Sequence, residues 1–326
     1  MLRRLPTPTH PDLLVGVATG DDAAVWRVDE HRALVSTVDF FTPIVDDPFT
    51  WGAIAAANSV SDVYAMGARP LFALNIAAWP RDVLPFDLLA DALAGAASVA
   101  AEGGWVIAGG HSVDGPEPML GQAITGEVAT DAILTNDSGR AGDLLVLTKA
   151  LGTGVITTAV KRSAASETVG DGYLVSALGA AVASMRRLNA SASLVAARNG
   201  VRCMTDVTGF GLAGHLHKLV LASGLEAVVE TTALPLLPDV DLLLESGFVP
   251  GGTSRNLEFL GTHLIVTSTR RNAEAILGDP QTSGGLLMCV PAQRLADIQA
   301  ELIAGGDLGV VVGELRTGVA GRVSLR

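Results

Sequence analysis

A β-branched apolar run at residues 33–39 (ALVSTVD) ends in an acid, and 71–77 (LFALNIA) and 105–110 (WVIAGG) are further apolar runs of strand length. Between the first two, DPFTWGAIAAANSVSDVYAMG reads as a helix: Pro48 suits its first turn, and Gly67 with Pro70 beyond suits its stop. Leu84, Leu88, Leu89 and Leu93 recur at helical spacing in a second helix over about 82–103, and GQAITGEV (121–128) reads as another strand. The polar patch LTNDSGRAGD (134–143) breaks this alternation and predicts a domain boundary, with one domain over 1–138 and another over 139–326. The second half opens with the strand DLLVLTK and the turn ALGTG. A helical region near 172–198, a helix over 212–223 and a strand LEAVVE at 225–230 follow. GDPQTSGGLLMCV, a helix from Pro291 to about Ile303, and strands near GVVVGEL and RVSLR complete the chain.

The length of 326 residues suits two domains, and the 49% hydrophobic, 17% charged composition is that of an ordered globular chain. Aromatic residues are few, so Ala, Val and Leu must fill the core. A net charge of −12 leaves no basic stripe for nucleic acid, and an anionic substrate would need cations to screen it. Magnesium is the usual one. No apolar stretch is long enough for a membrane span, and the two arginines near the N-terminus precede no signal-peptide core. Only Cys203 and Cys289 are present, too few for a disulfide framework or a zinc cluster, which points to the cytoplasm. Lysines are three: Lys149, Lys161 and Lys218.

CMTDVTGFGLAG (203–214) contains G-x-G-x-x-G, with a helix and then a strand ending at Glu230 downstream, as a dinucleotide site requires. The upstream side does not fit. VRCM is a short lead-in, and Asp206 would repel a pyrophosphate unless a metal sat between them. Glycines that merely turn the chain into a helix are the simpler reading, yet they leave Asp206 unexplained.

Similar acids recur. Asp21 and Asp22 lie in VATGDDAAV, Asp39 ends its strand, and Asn58 and Asp62 share one helical face with small Ala55 and Ala65. A lone Asp of this kind is ordinarily a solvated residue, but several beside glycines suit oxygen ligation of Mg²⁺ together with substrate phosphates. Neither a Walker A sequence nor protein-kinase motifs are present. GGHSVDGPEP (109–118) adds a glycine-rich segment with His111 and Ser112. No second His sits at ligand spacing there, which excludes zinc.

TGDDAAV, STVDFFTPIVDDPFTWGAIAAANSVSDVYAMG, AGGHSVDGPEP, MTDVTGFGLAGHL, VPGGTSRN and DPQTSGGLL, in this order, closely resemble the selenophosphate synthetases (selenide, water dikinases) of the aminoimidazole ribonucleotide synthetase superfamily. The likeness runs from about Pro11 to the C-terminus. It implies two α+β domains and a homodimer whose N-terminal sheets join into a β-barrel. It also implies ATP with Mg²⁺, and conversion of ATP, selenide and water to selenophosphate, AMP and orthophosphate. Selenide itself or a selenium-delivery protein would be the partner. By matching motif, Asp22, Asp62 and Asp206 correspond to metal ligands, and Thr19, Gly20, Asp21, Asp39 and Asp62 to ATP contacts. Gly110, His111 and Ser112 correspond to a loop reaching nucleotide held mainly by the other subunit. The resemblance makes Asp206 a metal ligand and the dinucleotide pattern a coincidence.

In that family a glycine-rich segment further upstream carries a catalytic Cys or selenocysteine, with a Lys three residues on. Residues 1–16 hold neither, so no nucleophile is assigned. The expectation is an N-terminally shortened or variant chain that folds, dimerises and binds Mg-ATP but turns over poorly. The rivals are a thiamine-monophosphate kinase-like or hydrogenase-maturation relative, and a nucleotide-binding dimer without catalysis.

Overall fold

The computed structural model describes residues 8–164 and 171–326. Two sheets organise them. The first contains β1 (Leu13–Val15), β2 (Ala24–Arg27), β3 (Arg32–Phe41), β4 (Arg69–Trp79), β5 (Val106–Asp114) and β6 (Met119–Ala129), in the spatial order β1-β2-β3-β6-β4-β5. Only β4 and β5 run parallel, joined by α2 (Phe86–Gly103), while α1 (Pro48–Ala65) links β3 to β4.

The predicted start of α1 holds. Asp47 caps it by accepting the Thr50 N–H at 2.8 Å, with Pro48 in the first turn, and Gly67 follows its end with φ 72°. Its Ala-rich sequence shows little amphipathic period because the helix is buried on nearly every side, by the first sheet, α2 and the second domain. Helices α1 and α2 cross with their backbones almost touching: a Cβ on Gly52 would lie 1.8 Å from the Ala92 carbonyl oxygen, and one on Gly95 would lie 1.9 Å from that of Phe49. Gly52→Ala must therefore spread this pair. It is expected to destabilise the fold by about 1–3 kcal/mol, read as a lowered urea midpoint.

The second sheet contains β7 (Leu144–Leu147), β8 (Cys203–Asp206), β9 (Glu226–Val229), β10 (Leu264–Val266), β11 (Leu286–Val290), β12 (Val310–Arg316) and β13 (Val323–Leu325), ordered β10-β13-β9-β12-β7-β11-β8. Around it pack α3 (Thr153–Ala164), α4 (Asp171–Arg186), α5 (Ala190–Arg198), α6 (Gly211–Ala222), α7 (Val240–Glu245), α8 (Gly251–Leu260), α9 (Ala273–Gly278) and α10 (Leu295–Ala304). The helical region read near 172–198 is two helices, separated at residues 187–189. The helices α3, α7, α8 and α9 went unread, as did strands β1, β8, β10 and β11. The second helix starts at Phe86 rather than near Asp82, because residues 81–84 form a turn ahead of Pro85 at its N-cap.

In β3, Ala33, Val35, Thr37 and Asp39 point toward α1, while Val38 and Phe40 point to the opposite face. That second face is uncovered: Val38, Phe40, Phe72 and Leu74 are between 40% and 55% exposed. Among the described residues the first sheet is open, with β1 and β5 as its edges, so one chain forms no closed barrel. The segment 109–114, read as a loop, continues β5 in parallel pairing with β4. Gly110 serves close packing, since a Cβ there would fall 2.2 Å from the Asn75 carbonyl oxygen, whereas Gly109 has open space and a φ of 146°.

The domains are joined through α1. Ser193 donates to the Tyr64 carbonyl at 2.7 Å, and Asn189 Nδ2 donates to both Ser61 Oγ (2.9 Å) and the Gly284 carbonyl (2.8 Å). Among the described residues no helix is long and apolar enough to cross a membrane.

Candidate active site

A cleft of about 700 Å³ lies between the domains. One wall is the turn before β2, the end of β3 and the acid-bearing face of α1. The other is the β8–α6 turn, α6, α8 and the loop 280–282.

Asp22, Asp62 and Asp206 converge here. Thr205 Oγ1 donates to Asp22 Oδ1 at 2.9 Å, and Thr37 Oγ1 donates to Asp62 Oδ2 at 2.5 Å. Asp22 Oδ2 and both oxygens of Asp206 are buried without a hydrogen-bond partner among the described residues. Burial, and then the negative charge of Asp206, hold the Asp22 carboxyl well above its usual range; burial and then the charges of Asp206 and Asp22 do the same to Asp62. Burial pushes Asp206 up to about 6. Buried carboxylates with orphaned oxygens are the arrangement a hard divalent cation relieves, so these residues fit Mg²⁺.

The other predicted residues divide between the cleft and elsewhere. Asp39 lies in the cleft and accepts a hydrogen bond from Asn58 Nδ2, and burial raises its pKa. Asn58 Oδ1 in turn accepts the Ser283 N–H at 2.7 Å, so α1 ties an acid of the first domain to the loop of the second. Gly20 and Asp21 line the cleft, and the Thr19 hydroxyl donates to Asp21. Asp21 Oδ1 also accepts the Asn136 N–H at 2.6 Å, which anchors this turn to the interdomain segment. Gly110, His111 and Ser112 are not brought to this cleft. They lie on β5 and line a separate cavity of about 330 Å³ with Leu89 and Leu93.

The G-x-G-x-x-G glycines have local tasks. Gly211 takes φ 67° at the start of α6, and a Cβ on Gly214 would meet Phe210 Cβ at 2.7 Å. The strand feeding them, β8, is an edge strand paired antiparallel to β11, not the central strand of a parallel dinucleotide fold. Asn256 on α8 donates to the Gly209 and Gly278 carbonyls and fixes this turn.

Two cleft residues escaped the sequence reading. His215 presents a ring nitrogen that, with one oxygen each of Asp22 and Asp206, falls in a set of atoms all within 4.8 Å of one another. Its Nε2 accepts the Thr208 N–H at 3.2 Å, and burial drives its pKa down to about 3. Lys218, one turn later, also faces the cleft. Burial lowers its pKa, against the opposing pull of Asp22, Asp206 and Asp62. Their spacing after the glycines was the available signal. Neither cysteine is near in function: both are free, buried and opposed across β8 and β11 in the core.

Asp279 is buried behind the cleft loop. Its Oδ2 accepts from Gln281 Nε2 at 2.8 Å, and Gln281 Oε1 receives the Gly152 N–H at 3.0 Å and the Thr153 N–H at 3.2 Å. Burial pushes the Asp279 carboxyl up to about 7. An unfolded chain keeps an aspartate near about 3.9, so between these values the folded state holds the extra proton. The stability this gives is complete below the unfolded pKa and is lost as pH rises through the folded one. Asp279→Asn is expected to flatten that decline by up to about 1.4 kcal/mol per pH unit, in urea unfolding between pH 5 and pH 8. A slope unchanged from the parent would show that other groups produce it.

Residues 20–128 match the family model of the AIR synthase related protein N-terminal domain, and 140–325 match that of the C-terminal domain. The chain is 44% identical over 314 residues to selenide, water dikinase of Shewanella baltica (strain OS185), covering 96% of this chain and 86% of that protein. Among solved structures it is similar to thiamine-monophosphate kinase from Stenotrophomonas maltophilia K279a, with a TM-score of 0.70, 19% identity and coverage of 97% and 91% of the two chains. Hydrogenase maturation protein HypE in complex with ATP matches with a TM-score of 0.68, 20% identity and coverage of 97% and 86%. These structural likenesses speak to the fold.

Proposed function

Because this chain belongs to the selenide, water dikinases, phosphotransferases built from paired AIR synthase related domains, we propose that it makes selenophosphate from ATP, selenide and water, with release of AMP and orthophosphate. The observation that carries this reading is the convergence of Asp22, Asp62 and Asp206 at a cleft of nucleotide size, with buried, unpartnered carboxylate oxygens on Asp22 and Asp206. In this proposal those three acids hold Mg²⁺. When bound, the cation supplies positive charge against the phosphate oxygens. Thr205 and Thr37 hold the rotamers of Asp22 and Asp62, and Asn58 holds that of Asp39, so the acids stay aimed into the cleft.

Gly20, Asp21, Asp39 and Asp62 take the nucleotide, with Thr19 setting the Asp21 carboxylate. The ATP complex of HypE, of the same fold, supports a nucleotide in this architecture. The division into domains at 138/139 puts acids on both sides of the cleft. A homodimer formed through the uncovered face of the first sheet would close the open sheet into a barrel, and would carry Gly110, His111 and Ser112 toward the partner's nucleotide. The two free thiols accord with a reducing cytoplasm, where selenide or a selenium-delivery protein would be met.

A ³¹P NMR spectrum of the protein with Mg-ATP and selenide, without oxygen, tests the reading. Selenophosphate, AMP and orthophosphate resonances are expected to grow in slowly, since residues 1–16 offer neither a Cys nor a Lys to the reaction. ADP without selenophosphate would replace it with a kinase of the thiamine-monophosphate type, and ATP resonances neither converted nor broadened would remove the nucleotide site altogether.

A further inference from the structure

We propose that Lys218 contacts substrate: its ammonium donates to a phosphate oxygen at the acidic end of the cleft. The proposal rests on the ATP-dependent reading above. Helix α6 sets Lys218 three residues after His215, on the face that lines the cleft. Its stem lies over the turn of the first domain, where a Cβ on Gly20 would meet Lys218 Cδ at 3.7 Å. Its Nζ rests 4.0 Å from the centroid of the Phe210 ring.

The head group is therefore held by carbon and by an aromatic face. Among the described residues it makes no hydrogen bond and no ion pair, although Asp22, Asp206 and Asp62 all act on it electrostatically. A flexible four-carbon stem beside three acids would ordinarily carry its ammonium onto one of them. Here it stops short, leaving its N–H donors to whatever enters. An ammonium is a compact charge suited to phosphate oxygens.

The other lysines are committed elsewhere. Lys149 Nζ is buried and donates to the Arg187 and Ser283 carbonyls, and Lys161 lines a different cavity. Among the described residues, only Arg255, on α8, joins Lys218 as a lysine or arginine lining the cleft. An anion approaching Asp22, Asp62 and Asp206 needs screening beyond the metal those acids bind, and Lys218 is placed to provide it.

Lys218→Met keeps the stem over Gly20 and removes the ammonium with its charge and N–H donors; Lys218→Arg keeps both charge and donors. Isothermal titration with Mg-ATP and with orthophosphate, and electron paramagnetic resonance titration with Mn²⁺ in the absence of nucleotide, are compared across the three proteins. The methionine variant is expected to bind a phosphate ligand about 10- to 100-fold more weakly, to bind Mn²⁺ more tightly because a competing cation is gone, and to be rescued by arginine. A loss confined to Mg-ATP assigns the contact to the nucleotide's phosphates, and one confined to orthophosphate assigns it to the released phosphate. Unchanged phosphate binding, or parallel losses of phosphate and Mn²⁺, would overturn the proposal and leave Lys218 a structural residue. A parent protein that binds neither phosphate ligand would instead sink the ATP reading, and this proposal with it.

Discussion

Asp206→Asn is expected to cut metal-supported ATP turnover on the order of 10²-fold or more, while raising the melting temperature of the metal-free protein. Both effects come from one carboxylate. Asp206 ends β8 with no exposed surface, both its oxygens lack partners, and Asp22 and Asp62 lie close enough for its charge to raise their pKa values. Ionised and unmatched in that setting, it destabilises the fold. Because its folded pKa is raised to about 6, stability is lost as pH rises through that value. The asparagine variant should therefore gain more at pH 8 than at pH 5, by about 1–3 kcal/mol at the higher value. Thermal unfolding with Mg²⁺ and with a chelator checks this: Mg²⁺ should raise the parent's melting temperature and leave the variant's nearly unchanged. A variant that loses stability in chelator and keeps full turnover would show that Asp206 is not a metal ligand.

Phe40→Asp combined with Leu74→Asp is expected to convert the proposed dimer to monomers. The two side chains stand on the uncovered face of the first sheet, on strands that both pair with β6. A face this apolar is unusual unless another surface covers it. Two carboxylates placed inside an interface without partners would cost several kcal/mol, enough to raise a dimer dissociation constant by about 10³-fold or more. Sedimentation velocity reads the result. The monomer fold should survive, since neither residue faces α1. If parent and variant sediment alike, this face does not hold the subunits together.

Much of the first domain was legible because its elements announce themselves locally. Pro48 and Gly67 bracket α1, and β3 and β6 carry apolar runs of strand length. The second domain was harder. The sequence of α3, TGVITTAVKRSA, is rich in β-branched residues that favour strands. Arg187, Leu188 and Asn189, which separate α4 from α5, include neither Gly nor Pro, so no breaker marked the join in the sequence. Strand β8 was too short to be read, and β5 was taken to stop at its glycines when parallel pairing with β4 carries it on to Asp114.

At the site, the acids stood out because carboxylates beside glycines or on an Ala-rich helix are conspicuous. His215 and Lys218 did not, because which side of α6 looks into the cleft depends on how the domains dock. The resemblance to the selenide, water dikinases, carried by six ordered motifs, is borne out by the relatives and by the paired domain families.

The three acids are not on one domain: Asp22 and Asp62 belong to the first and Asp206 to the second. Their mutual repulsion thus acts across the junction as a compressed spring, working to prise the halves apart, and Asn58, Asn189 and Ser193 are the clasps that resist it. A divalent ion turns that spring from repulsive to attractive. Cation supply would then govern how firmly the halves grip one another, and a cell short of the ion would hold a looser molecule before it held an idle one.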